Sequence, residues 1–323
     1  MATVETVKGP VAVEDLGPTL MHEHVFVLST EHVQNYGEGS WWDEEAEVAN
    51  AVAKLNELAA TGIKTIVDPT VWGIGRYIPR IQRIASQVSV NIIVATGLYV
   101  YEELPHQYAY RGPGLLLDIP EPMVADFSGD IRTGIAGTGV KAAFLKCAVE
   151  AQGLTPGVER IARAVARTSV ETGAPITVHT SSPAQSGRLA LDLFRKEGVD
   201  LTKVVVGHAG DSNDLDYLME LADTGAILGM DRFGLDVFNP TANRVATIVS
   251  LVERGYADRI VLSHDASCFI DYYGGMHHLV GETMPNWNYL HIGNDVLPAL
   301  RAAGVSEEQI NQMMVDNPRR YFS

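Results

Sequence analysis

The repeating unit of this chain is clearest in residues 203–222, whose sequence is KVVVGHAGDSNDLDYLMELA. A short apolar run is followed by a polar turn and then by a segment with apolar residues every three or four positions. A run that is apolar throughout is typical of a parallel strand that is buried on both faces. The unit therefore predicts a buried strand, a turn and a helix that covers the strand.

Seven more apolar runs of this kind lie along the chain. The eight runs are Thr19–Met21, Ile63–Val67, Asn91–Ala95, Val140–Leu145, Ile176–Val178, Lys203–Val206, Ala226–Met230 and Arg259–Leu262. Predicted helix starts at Asp43, Thr155 and Ser306, and predicted helix ends at Gly62 and Gly173, lie between them or after the last. Eight alternations favour an α/β fold, a (β/α)8 TIM barrel in one domain over residues 1–323. An open doubly wound sheet remains an alternative, because periodicity does not show whether a sheet closes.

The overall charge excludes several classes of partner. The chain has 323 residues, with 24 Lys and Arg against 40 Asp and Glu, and its formal net charge is −16. Such a surface repels phosphate backbones and anionic lipids, which argues against nucleic-acid and membrane partners. Its two cysteines, Cys147 and Cys268, are too few for a disulfide framework, and no run reaches the ~18 apolar residues of a membrane span. We expect a soluble, cytoplasmic protein.

Metal-binding residue types follow the predicted strands. They are His22 and His24 after the first run, His179 after the fifth, His208 after the sixth and Asp265 after the eighth. The carboxyl ends of barrel strands meet at one face. Neutral imidazoles and carboxylates suit Zn, Fe, Co or Mn, and these five exceed the three protein ligands of a typical catalytic zinc. We therefore predict two divalent metal ions, which together can activate a water and polarise an electrophile.

Lys146, which follows the fourth run, has three possible roles. It can lie at the barrel rim with its amine in solvent, or form a Schiff base as in barrel aldolases. It can also take up CO2 as a carbamate, which turns the amine into an anion able to bridge two metals. The nearby histidines favour the carbamate, but the residue types alone leave the choice open. His264 is left out of the predicted ligands, because a neighbour of Asp265 on a strand points the other way.

The motifs around these residues resemble those of the phosphotriesterase family of the amidohydrolase superfamily. They are Met21-His22-Glu23-His24, Leu145-Lys146-Cys147, Val178-His179-Thr180, Val206-Gly207-His208, Gly229–Gly234 and Ser263-His264-Asp265. The chain is most similar to the phosphotriesterase-like lactonases, in particular to actinobacterial quorum-quenching acyl-homoserine lactonases. This resemblance covers nearly the whole chain. It implies a binuclear centre, with one metal held by His22, His24 and Asp265, the other by His179 and His208, and N6-carboxylated Lys146 as the bridge.

The same resemblance implies roles for residues around the metals. Tyr99 would contact the lactone oxygen, and Arg232 would mark a lactonase rather than a dedicated phosphotriesterase. Asp211 would be a proton-relay carboxylate, whereas its position before the next predicted helix equally suits an N-cap. The apolar segment after Asp265 would shape a channel for the substrate's acyl chain, with candidate contacts at Phe269, Ile270, Tyr272 and Trp287. A homodimer is also implied.

Together these features predict a metal-dependent lactonase that acts on N-acyl-homoserine lactones, with weak phosphotriesterase activity as a side reaction. Asp265 is expected to accept the proton of the attacking water and to return it to the leaving alkoxide. Three alternatives stay open. They are a dedicated aryldialkylphosphatase, a Schiff-base aldolase that uses Lys146, and a metal-bound binding protein without turnover.

Overall fold

The computed structural model of the protein describes residues 2–37, 42–273 and 277–323. The strands in these ranges are β1 (Thr3–Thr6), β2 (Gly9–Ala12), β3 (Thr19–Leu20), β4 (His24–Val27), β5 (Thr65–Asp68), β6 (Asn91–Gly97), β7 (Phe144–Val149), β8 (Ile176–Thr180), β9 (Val204–Gly207), β10 (Ile227–Met230), β11 (Ile260–Leu262) and β12 (Ser267–Ile270).

Helices alternate with most of these strands. They are α1 (Thr30–Tyr36), α2 (Glu44–Ala60), α3 (Ile78–Ala85), α4 (His106–Ala109), α5 (Pro122–Arg132), α6 (Pro156–Thr172), α7 (Ser186–Lys196), α8 (Leu215–Asp223), α9 (Thr241–Glu253), α10 (His277–Thr283), α11 (Leu297–Ala302), α12 (Glu307–Asn311) and α13 (Asn317–Phe322). None of the helices in the described ranges is long and apolar enough to cross a membrane.

Eight parallel strands form one sheet in the order β3-β5-β6-β7-β8-β9-β10-β11. This order follows the chain without a reversal, whereas a doubly wound sheet reverses its order at a switch point. The sheet curls until its first and last strands meet, where the Met21 N–H donates to the Leu262 carbonyl at 3.3 Å. The predicted (β/α)8 barrel is therefore confirmed, and the open-sheet alternative is wrong.

Apolar side chains fill the barrel and its outer layer. Inside the barrel lie, among others, Met21, Val67, Ile93, Phe144, Val205, Ile227, Val261 and Tyr321. A larger cluster lies between the strands and the surrounding helices. Because both faces of each strand are covered, nearly continuous apolar runs are the pattern that this sheet requires.

The predicted helix boundaries are confirmed where a cap marks them. Asp43 accepts a hydrogen bond from the Ala46 N–H at 3.0 Å, and Thr155 accepts one from the Val158 N–H at 3.3 Å. Gly173 ends α6 with a φ of 76°. These residues satisfy backbone groups that the helix ends would otherwise leave unpaired.

The fourth barrel strand begins at Phe144 rather than at the predicted Val140. Backbone hydrogen bonds hold the preceding residues elsewhere, since Ile135 donates to Val140 and Ala142 donates to Asp130. The strand also continues to Val149, so Lys146 lies within it and not at its end. Two short strand pairs, the β1–β2 hairpin and the parallel pair β4–β12, were not predicted.

Gly97 brings β6 close enough to β7 to position Lys146. Its φ is 140°, and an added Cβ would lie 1.9 Å from the Lys146 carbonyl oxygen. We expect Gly97→Ala to lower the free energy of unfolding by about 3 kcal/mol, at the upper end for single substitutions. Gly129→Ala is the control: it lies in α5 with open space around the added Cβ, and it should raise stability by up to about 1 kcal/mol. Urea unfolding followed by circular dichroism measures both, and equal midpoints would contradict this account.

Candidate metal centre

Four imidazoles and a carboxylate converge at the carboxyl end of the barrel, as the sequence predicted. Oδ1 of Asp265 lies 3.3 Å from Nε2 of both His22 and His24. On the other side of the cavity, Nε2 of His208 lies 2.9 Å from Nδ1 of His179. All four histidines are buried. Residues from β4, β8 and the connections after β3, β9 and β11 thus meet within a few ångströms.

Lys146 lies inside this group. Its Nζ is 3.4 Å from Nε2 of His22, and the side chain is 1% exposed. A rim lysine with its amine in solvent is therefore the wrong interpretation. Burial lowers the pKa of the Lys146 amine to about 8, which makes its neutral, nucleophilic form accessible near neutral pH.

Asp231 holds two of the imidazoles from behind, and sequence reasoning missed it. Its Oδ2 lies 3.0 Å from Nδ1 of His22, and its Oδ1 lies 2.9 Å from Nδ1 of His208. Burial acts to raise the pKa of Asp231, but the two imidazoles lower it below the usual carboxyl range. An ionised Asp231 accepts both Nδ1–H groups, so each Nε2 keeps a free lone pair that faces the cavity. Asp231 stands beside Arg232 in the Gly229–Gly234 motif, directly after the seventh apolar run, and this position could have identified it as a site residue.

The other two imidazoles have partners of their own, which were also missed. Nδ1 of His24 lies 2.7 Å from the Thr70 hydroxyl, which donates to Asp68 at 2.5 Å. Nε2 of His179 lies 2.6 Å from Glu150 Oε2. Glu150 follows β7 directly, so its position at a strand end was a signal in the sequence.

This arrangement fits divalent metal ions. Burial lowers the pKa of His22 and His208, and it lowers that of His179 to about 4, so these imidazoles stay neutral at pH 7. Their outer nitrogens are bonded to oxygen atoms, and their inner nitrogens can each offer a lone pair. Outer partners of this kind are usual for histidines that bind metals. Zinc, iron, cobalt and manganese all accept such a set of nitrogen and carboxylate donors.

His264 faces away from the cavity, as predicted. Its Nδ1 lies 2.7 Å from Glu23 Oε1, and its Nε2 accepts the Ile292 N–H at 2.9 Å. Both nitrogens are thereby occupied. His264 therefore has no free nitrogen to direct at the cavity.

Arg232 joins Asp265 to Asp211. Its Nε donates to Asp265 Oδ2 at 3.0 Å, and its terminal nitrogen donates to Asp211 Oδ2 at 2.9 Å. Asp211 also accepts from the buried Arg244 at 2.7 Å and does not line the cavity. The N-cap interpretation of Asp211 is wrong, because Asp214 caps α8 by accepting the Tyr217 N–H.

A guanidinium keeps its protons at neutral pH, so Arg232 cannot carry a proton from Asp265 to Asp211. The two carboxylates raise the pKa of Arg232 further, despite its burial. The geometry therefore favours a positioning role for Asp211 over a role in a proton relay.

Tyr99 lies at the edge of the histidine cluster. Its hydroxyl is 3.1 Å from Nδ1 of His179 and 2.7 Å from the hydroxyl of Tyr101. Burial raises the pKa of Tyr99 well above its usual value, so the phenol stays protonated and can donate a hydrogen bond. Tyr101 lines the same cavity and was missed, although the Tyr-x-Tyr pattern after the third run was a signal.

The cavity above the cluster has a volume of about 190 Å³. Ile270, Tyr272 and Trp287 line it, as expected for the apolar segment, together with Leu235 and Phe238. Phe269 does not line it. Its buried ring packs 4.9 Å from Trp42 and 6.1 Å from Phe26, in the core between β12 and α2, so the expected substrate contact is wrong. Residues 274–276 of this segment are outside the described residues.

Comparisons with known proteins agree with this geometry. The model of the phosphotriesterase family matches residues 2–322. A phosphotriesterase homology protein of Mycobacterium tuberculosis is 54% identical over 100% of this chain and 98% of its own length. An aryldialkylphosphatase of Saccharolobus solfataricus is 36% identical over 98% of each chain. The solved structure of the phosphotriesterase from Mycobacterium tuberculosis, 54% identical, matches with a TM-score of 0.97 over 99% of this chain and 98% of that one. The chain belongs to the phosphotriesterase family, a family of metal-dependent hydrolases.

Proposed function

We propose that this protein is a binuclear-metal lactonase that hydrolyses N-acyl-homoserine lactones. The observation that carries this proposal is the pair of donors on the cavity wall. Tyr99 and Arg232 both lie beside the histidine cluster and line the cavity with it. They can donate hydrogen bonds to the carbonyl and ring oxygens of a lactone, next to the ligands of the metal site.

The proposed ligands divide into two groups. His22, His24 and Asp265 would hold one ion, and His179 and His208 would hold the other. Two bound divalent ions would lower the pKa of a water and polarise the lactone carbonyl. Zinc, cobalt, iron and manganese all suit this donor set.

Lys146 would bridge the two ions as a carbamate. In its formation the neutral amine attacks the carbon of CO2, an N–C bond forms while one C=O π bond breaks and its electron pair moves to oxygen, and the nitrogen loses a proton to water. The lowered pKa of the amine supports this reaction, since only the neutral form is nucleophilic. A carbamate anion would also remove the repulsion between an ammonium group and two dications.

The protein's own side chains would then orient the substrate and accept the proton. Asp265 has one oxygen directed at His22 and His24 and the other at Arg232. It would take the proton from the attacking water and return it to the alkoxide that leaves when the ring opens. Arg232 would hold that carboxylate in place, while Tyr99 would orient the lactone.

The size of the cavity and its rim support a small polar head with an apolar tail. A volume of about 190 Å³ is below the roughly 300–1,000 Å³ of most ligand pockets. A lactone ring would fill the interior, and an acyl chain would extend outward. At the mouth, Phe238 and Tyr272 are 59% and 64% exposed, an apolar surface that fits such a chain.

A second candidate substrate is a phosphotriester. The relative named an aryldialkylphosphatase shares 36% identity over nearly the full chain. The same cluster of ligands could also serve attack on phosphorus, so we propose a weaker phosphotriesterase activity alongside lactone hydrolysis.

Removal of metal tests the proposal directly. Chelated protein should lose lactone hydrolysis, and added cobalt, zinc or manganese should restore it, because the donor set needs an ion to activate water. Acidification by the carboxylic acid product measures turnover with several lactones. An aldolase would ignore the chelator and would be trapped on Lys146 by borohydride with a carbonyl substrate. A binding protein would take up metal without acidification.

Asp265→Asn should reduce kcat/KM for lactones by at least ~10³-fold, because it removes a proposed ligand and the proton acceptor together. Metal content is measured on the same samples. Asp192→Asn, an exposed carboxylate on α7, is the matched control and should leave kcat/KM unchanged. Near-full activity of a metal-loaded Asp265→Asn variant would show that the assigned role is wrong.

Tyr99→Phe should lower kcat/KM for lactones by about 10-fold, the scale of one hydrogen bond made in the transition state, and should spare paraoxon hydrolysis. Paraoxon serves as the internal control, because the same preparation reports on metal loading. A parallel loss on both substrates would mean that Tyr99 supports the metal site rather than the lactone.

A further inference from the structure

Glu23 is a fully buried carboxylate to which the mechanism above assigns no role. It lies between His22 and His24 in the sequence, and neighbouring residues along an extended chain point to opposite sides. Its side chain therefore leaves the cavity and reaches the segment between β11 and β12. There it accepts hydrogen bonds from the Ser263 hydroxyl at 2.8 Å and from Nδ1 of His264 at 2.7 Å.

Two backbone groups complete this set. The N–H of His264 donates to Glu23 Oε1 at 2.9 Å, and the N–H of Ala266 donates to Glu23 Oε2 at 3.0 Å. Four donors thus point at the two oxygens of one carboxylate, and hydrogen bonds to a charged acceptor are among the strongest in proteins. The two residues that donate from their backbone are the immediate neighbours of Asp265.

Asp265 needs such support because its backbone is strained. Its φ is 54°, in the left-handed region that non-glycine residues rarely adopt. Conformations of this kind persist only where the surrounding structure fixes them. The Asp265 N–H donates to the His22 carbonyl at 3.1 Å, and Glu23 holds the residues on both sides.

The same carboxylate also restrains His22. The Ser263 hydroxyl that donates to Glu23 accepts the backbone N–H of His22 at 2.8 Å. Nε2 of His264 accepts the Ile292 N–H, which places the His264 proton on Nδ1, toward Glu23. Through these hydrogen bonds the buried Glu23 carboxylate links the connection after the first barrel strand, β3, to the turn that follows the last barrel strand, β11.

We propose that Glu23 and His264 are a pair of positioning residues that hold Asp265 and His22 in the geometry that binds metal. This inference rests on the metal site of the proposed function, but not on the identity of its substrate. The pair touches no substrate and does not coordinate metal. Its effect would appear first in the affinity for metal.

Glu23→Gln is the direct test. Its amide would point an N–H₂ group at one or more of the four donors, so at least one buried donor loses its acceptor. Affinity for Co²⁺ should fall by about 10- to 100-fold, the usual effect of changing an outer partner of a metal site. Competition with a chromophoric chelator measures that affinity, and the visible absorption of the Co²⁺ protein reports on ligand geometry.

Tyr321→Phe separates positioning from general stability. It removes the hydrogen bond between the buried Tyr321 and Thr177 hydroxyls, 2.9 Å apart inside the barrel. We expect a lower melting temperature with unchanged Co²⁺ affinity and spectrum. If Tyr321→Phe weakened Co²⁺ binding as much as Glu23→Gln did, the positioning role would be overturned.

If Glu23→Gln fails to fold, a pair of variants at His264 tests the positioning role instead. His264→Asn keeps a donor near the position of Nδ1 and should retain most of the Co²⁺ affinity, whereas His264→Leu has no donor and should lose it. Equal affinities in these two variants would overturn the proposal. A wild-type protein that binds Co²⁺ but opens no lactone would refute the proposed substrate and leave this comparison valid, while one that binds no divalent ion would refute both.

Discussion

A neutral imidazole has one nitrogen with a free lone pair, and this nitrogen is held toward a shared cavity only if the N–H of the other ring nitrogen is hydrogen-bonded elsewhere. In this protein oxygen atoms behind the cluster meet that requirement. The Asp231 carboxylate is hydrogen-bonded to Nδ1 of both His22 and His208. His24 is hydrogen-bonded to the Thr70 hydroxyl, and His179 to the Glu150 carboxylate. Because these partners lie on barrel strands or directly after them, the closed sheet determines which nitrogen of each ring faces inward. The chemistry of the site depends on this constraint.

Much of the fold could be predicted from the sequence, because buried parallel strands leave a strong local pattern. All eight barrel strands were found, with the fourth displaced by four residues at its start. The pairs β1–β2 and β4–β12 were missed, since strands of four residues without a distinctive pattern give little signal. Closure of the sheet depends on contacts between the first and last strands, and no local pattern contains that information.

In the candidate site, too, residues with a local sequence pattern were predicted and residues that depend on distant contacts were not. The inward residues stood out because histidine, lysine and aspartate are unusual after apolar runs. Asp231, Glu150 and Thr70 were missed, because their partners lie on other strands and are distant in sequence. Phe269 was misplaced for a related reason: an apolar residue near a cavity can face the solvent side or the core, and only packing against Trp42 decides.

The proposed ligands and the rim belong to different parts of the barrel. The ligands lie on strands or directly after them, whereas Phe238 and Tyr272 lie in connections beyond the strands. Side chains in such connections can be exchanged without disturbing the sheet that carries the ligands. An enzyme built in this way can acquire new substrates by small steps in its loops while its hydrolytic machinery stays intact, which makes the scaffold a favourable starting point for directed evolution.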